Sequence, residues 1–129
     1  MEILSISIDR ESLMRLNGIQ RKLGFRSRSK MLRSALQSLI KDYEKLESLQ
    51  GNVESVFVLT YADGEKNYVS DMLHMFERDI SSAMHHHHAS TCVDILSMHA
   101  SADTTRKLFG AAKSSRSIKS VTCTVVDKR

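Results

Sequence analysis

Three imidazoles and one thiol, His74, His85, His87 and Cys92, make up a full ligand set for a late transition metal. His85 and His87 are two residues apart, so on a strand they project from one face. Cys92 follows the polar stretch His88-Ala89-Ser90-Thr91, which can turn the chain back and set the thiol beside the two imidazoles. His74 falls in a segment with helical spacing, so it must reach such a site from another element or another chain. Nitrogen donors with one sulfur suit Ni(II), Cu(II), Co(II) or Zn(II), and not Mg(II) or Ca(II). Asp94 is expected to accept a hydrogen bond from an imidazole and orient it, or else to be an exposed strand carboxylate. His86 and His88 are either extra donors or ordinary surface imidazoles.

The elements that must carry these residues follow from periodicity. Residues 2–8 alternate, with Leu4, Ile6 and Ile8 on one side and Ile3, Ser5 and Ser7 on the other, the pattern of a half-buried strand. Asp9 can cap a helix through Leu13, Leu16 and Leu23, and Gly24 is a stop. Ser27 stands at the start of a second helix, with Met31, Leu32, Ala35, Leu36, Leu39, Ile40, Tyr43 and Leu46 at three- and four-residue steps. Gly51-Asn52 ends that pattern, giving two expected units, 1–50 and 51–129. The second reads as a strand at Val53–Tyr61, a turn at Asp63-Gly64, a helix at Glu65–Phe76 and strands at Asp79–His87 and Cys92–Ala100. A helix capped by Asp103 and a strand at Ile118–Val126 complete a βαββαβ order. Met72, Met75, Met84 and Met98 read as packing residues, and Cys123, alternating with Val121 and Val125, as a small core residue.

The chain has 129 residues, 41% hydrophobic and 26% charged, a composition for a soluble globular protein. No apolar run has membrane-spanning length and no secretory leader is visible, so a cytoplasmic protein with reduced thiols is expected. Residues 1–50 hold ten Lys/Arg and six Asp/Glu, net +4, while residues 51–129 hold nine of each, net zero. Six basic residues and no acidic one lie between Arg21 and Arg33. That asymmetry points the first unit at a polyanion, double-stranded DNA above all. Arg28 and Ser29 open a helix whose free backbone N–H groups can meet a phosphate. A lone N-terminal strand would need the same strand of a second chain. The resulting ribbon would present Ile3, Ser5 and Ser7 to a major groove.

These residues together resemble the nickel-responsive ribbon-helix-helix repressors, the NikR family. The likeness spans nearly the whole chain and rests on a helical His74, a His85-x-His87 pair eleven residues on, and Cys92 beginning the next strand. It implies an α+β fold with an N-terminal ribbon-helix-helix (βαα) DNA-binding domain and a C-terminal ferredoxin-like, ACT-type βαββαβ domain. It also implies a square-planar centre with His85, His87 and Cys92 from one subunit and His74 from a facing one, a geometry that favours Ni(II) or Cu(II). The assembly implied is a homotetramer, a dimer of dimers. The implied function is a metal-responsive repressor whose operator binding is tightened by metal. There are departures. Ile3 stands where relatives carry a basic residue, and Ser5 and Ser7 where they carry threonines. Lys30 and Ser34 replace acidic residues of a secondary cation site, which is expected to be absent. The loop before Cys92 is one residue shorter.

No Ser/His/Asp order, P-loop or dinucleotide fingerprint is present, so no enzyme is expected. Three alternatives compete: a diverged sensor of copper, cobalt or zinc, a metal store without DNA binding, and an ACT-type small-molecule sensor in which the histidines are incidental.

Overall fold

The computed structural model describes residues 1–128. The chain divides into two compact units, Met1–Glu44 and Lys45–Arg129.

In the first unit, residues 1–9 form no strand. Helix α1 (Arg10–Leu23) starts where Asp9 accepts the Ser12 N–H at 2.6 Å, and stops at Gly24, whose φ of 73° is the left-handed cap that glycine adopts without strain. Helix α2 (Arg28–Glu47) starts where Ser27 Oγ accepts the Lys30 N–H at 3.1 Å. Sequence alternation at 2–8 reads as a strand, but a strand exists only with a hydrogen-bonded neighbour, and this segment has none among the described residues. Ile3 and Leu4 are accordingly 95% and 80% exposed. The expected ribbon-helix-helix domain followed by an ACT-type domain is therefore corrected: the chain opens with two helices, followed by a four-stranded antiparallel sheet with helices between strands.

The second unit runs β1 (Asn52–Ala62), a short 3-10 turn (Asp63–Glu65), α3 (Lys66–His74), β2 (Ile80–His88), β3 (Thr91–Ser101), α4 (Ala102–Ser114) and β4 (Ile118–Lys128). The antiparallel order in the sheet is β2-β3-β1-β4, so β2 and β4 are edges. Strict alternation in β1 and β3 buries Phe57, Leu59, Tyr61, Cys92, Leu96 and Met98 on one face, where Val69 of α3 and Leu108 and Ala112 of α4 cover them. Leu46, Leu49, Val53 and Ala102 form a second cluster, and Cys123 packs against both.

Three local expectations change. The cap of α4 is Ser101, which accepts the Thr104 N–H at 3.1 Å, because Asp103 already lies in the first turn and pairs with Arg106. Met98 is buried, but Met75 and Met84 are exposed, since Met75 follows the end of α3 and Met84 sits on the edge strand. The helix expected at Glu65–Phe76 is shorter, because its last residues tighten into turns after His74. Among the described residues no helix is long and apolar enough to cross a membrane.

Candidate metal centre

Register decides which donors meet. His87 pairs with Cys92 and His85 with Asp94 across β2 and β3, and directly opposed residues share a face. All four therefore point to the helix-covered side, Cys92 and Asp94 buried and the two imidazoles exposed on the edge strand. The hairpin joining β2 to β3 is two residues long, Ala89-Ser90, and Ala89 takes a φ of 54° to close it. On the far side, Tyr61 pairs with Cys92 and Ala62 with Thr91, so the next residue, Asp63, emerges beside the hairpin.

Three donors gather there: Asp63, His87 and Cys92, with ligand atoms all within 4.8 Å of one another. His87 Nε2 lies 3.3 Å from Asp63 Oδ1, and the Cys92 thiol donates to the same oxygen at 3.7 Å. Around an ion at ordinary zinc bond lengths, neighbouring ligand atoms of a tetrahedron are about 3.4 Å apart, and those of a square plane about 3 Å. The two spacings to Asp63 Oδ1, 3.3 and 3.7 Å, are of the size that ligands of one ion share. Burial pushes the Cys92 thiol above its ordinary pKa, and the Asp63 carboxylate adds to the effect. A cation would reverse both pressures, since it replaces the proton and neutralises the carboxylate.

His85 is held differently. Its Nδ1 lies 2.6 Å from Asp94 Oδ1, while the Tyr61 hydroxyl donates to Asp94 Oδ2 at 2.8 Å. Burial and this hydrogen bond raise the Tyr61 pKa, which keeps the phenol protonated as a donor. Asp94 thus orients an imidazole, as its position two residues after Cys92 suggests, and leaves Nε2 of His85 as the free nitrogen. His85 also borders a cleft of about 240 Å³ with Lys66, Ser70 and Leu73. His74 ends α3, is exposed, and pairs with Glu77 at 2.9 Å. Of the four residues expected from sequence, the structure brings His87 and Cys92 together and sets His85 on the same face two residues away. His74 is outside the cluster within one chain.

Asp63 was missed by sequence reasoning, because Asp-Gly after a strand signals a turn and nothing more. Its proximity depends on the β1–β3 register. Tyr61 likewise reads in sequence only as a strand residue, because it meets Asp94 through sheet register.

In the first unit, all six basic residues from Arg21 to Arg33 are exposed around the turn between α1 and α2. Arg28 donates to Asn17 at 3.0 Å. Ser29 is exposed in the first turn of α2, and Ile3, Ser5 and Ser7 are exposed in the N-terminal segment.

No family model matches the chain. A protein of Methanothrix thermoacetophila described as "Putative nickel-responsive regulator" is 26% identical over 97 residues, covering 72% of this chain and 69% of that protein. A protein of Methanocella arvoryzae with the same description is 24% identical over 127 residues, covering 95% and 91%. The relationship to these regulators is a distant one. A solved structure, the uncharacterized protein TM1266 from Thermotoga maritima, has a TM-score of 0.55 at 20% identity, covering 60% of this chain and all of that one. That likeness is one of fold.

Proposed function

We propose that this protein is a metal-responsive, DNA-binding transcriptional regulator, a repressor whose operator binding is tightened by nickel. The observation that carries the reading is the Asp63–His87–Cys92 cluster, a mixed oxygen, nitrogen and sulfur set at ligand spacing. The description of its two distant relatives supports both nickel and regulation.

His87 and Cys92 anchor the ion, and Asp63 and Nε2 of His85 are the further donors within one chain. His74 of a second subunit completes the set. It is exposed, and an assembly of two dimers into a homotetramer would let one chain lend it to another. Exposed apolar side chains such as Ile6, Leu39 and Tyr43 in the first unit support self-association. A site closed by protein ligands suits sensing and leaves no place for a substrate.

DNA binding is assigned to the basic turn. Arg21, Lys22, Arg26, Arg28, Lys30 and Arg33 would neutralise phosphates, with Arg28 and Ser29 placing one at the start of α2. The exposed segment with Ile3, Ser5 and Ser7 adds contacts. Metal regulates only if it binds the DNA-competent arrangement more tightly than the others. A second reading puts zinc or cobalt in place of nickel, since a mixed oxygen, nitrogen and sulfur set suits them as well. The test is binding of the full chain to its own promoter DNA with Ni(II), Co(II), Zn(II) or a chelator. Tighter binding with one metal supports the reading, and equal affinity in all conditions overturns it.

A further inference from the structure

The four-histidine run is divided by the strand that carries it. His85 and His87 take the helix-covered face, so His86 and His88 take the other, opposite Val93 and Thr91 of β3. His86 and His88 are both exposed, and among the described residues neither imidazole makes a hydrogen bond or ion pair. Each other histidine does: His74 with Glu77, His85 with Asp94, His87 with Asp63 and His99 with Glu54. Their Cα atoms are about 6.6 Å apart along the strand, a separation that two imidazoles leaning together can close around one ion. The strand is paired along its length to β3, so the backbone that spaces them is already ordered and little entropy is lost on chelation.

We propose that His86 and His88 form a second chelating pair for a borderline divalent cation such as Ni(II), Cu(II) or Zn(II), on the sheet face opposite the Asp63–His87–Cys92 centre. With two imidazoles and solvent as ligands, this pair binds more weakly than the thiolate-containing centre and fills after it. One strand thus carries two independent metal sites, and the second does not depend on the regulatory reading of the first.

Calorimetric titration of the full chain with Ni(II) tests this, alongside H86A/H88A and C92S variants. Both replaced histidines are exposed, so the fold should tolerate their loss. The expected result is two ions per chain. H86A/H88A loses the weaker ion and keeps the tighter, while C92S loses the tighter and keeps the weaker. An equal number of ions taken up by H86A/H88A and by the unaltered chain would overturn the proposal, whereas loss of the tighter ion alone would bear only on the Asp63–His87–Cys92 centre.

Discussion

The backbone N–H of Asp63 donates to the carbonyl of Ser90 at 2.9 Å. This single bond ties the start of the turn after β1 to the tip of the β2–β3 hairpin. It sets the Asp63 carboxylate beside His87 and Cys92, two donors that the hairpin has already paired. Both the hairpin's shape and the residues it brings together are therefore open to test.

Ala89 holds the hairpin's positive φ, a conformation that costs a side-chain-bearing residue about 1 kcal/mol. Ala89→Gly should remove that cost and, after the roughly 0.5 kcal/mol that glycine loses in unfolded-state entropy, stabilise the unit by about 0.5 kcal/mol. Thermal unfolding should shift upward by a few degrees, and an unchanged or lower midpoint would count against the assigned turn.

Asp94 is nearly buried and accepts from both Tyr61 and His85. Asp94→Ala leaves the Tyr61 hydroxyl without its acceptor, at a cost of about 1–3 kcal/mol. Asp94→Asn keeps an acceptor for one partner and should lose less. Denaturant midpoints of the two variants would give that order if the network is as described.

Arg106 donates to the carbonyls of Leu46 and Leu49, each at 3.0 Å, and so satisfies backbone groups at the end of α2. Arg106→Ala should destabilise the second unit by about 1–3 kcal/mol, and lysine should restore only part because it lacks the planar fork. Hydrogen exchange should quicken first at residues 46–49.

Burial and Asp63 push the Cys92 thiol above its ordinary pKa, and the proposed metal would bind it as thiolate. Metal binding must then expel a proton, so affinity should fall about tenfold per unit as pH drops. Competition titrations between pH 6 and 8 (roughly the window in which the free thiol stays protonated) measure this slope. A flat profile would mean that Cys92 is not a ligand.

Much of this arrangement was legible in the sequence. Asp9 and Gly24 bound α1 because capping chemistry is local, and the alternation in Val53–Tyr61 and Cys92–Ala100 marks strands with one buried face. His-x-His followed by Cys after a short turn carries its own geometry, and the β2–β3 hairpin follows from it. Residues 2–8 misled because alternation states a preference, while a strand needs a partner that the sequence of one chain does not supply. Asp63 escaped notice because its neighbours are 24 and 29 positions away in sequence and meet only through sheet register. The run of four histidines shows two faces in sequence, but only the pairing with β3 tells which face is covered.

The proposed centre places the metal on Cys92, with Asp63 and His87 beside it. Its most direct test is titration of the full chain with Ni(II) followed by near-ultraviolet absorbance. A thiolate-to-metal charge-transfer band that saturates with the tighter ion is expected. It should be lost in Cys92→Ser, weakened in Asp63→Ala, and retained in Cys123→Ser, whose half-buried thiol packs against the core with its pKa pushed up by burial to about 11. No band with Ni(II) or Co(II), or a band that survives Cys92→Ser, would contradict it.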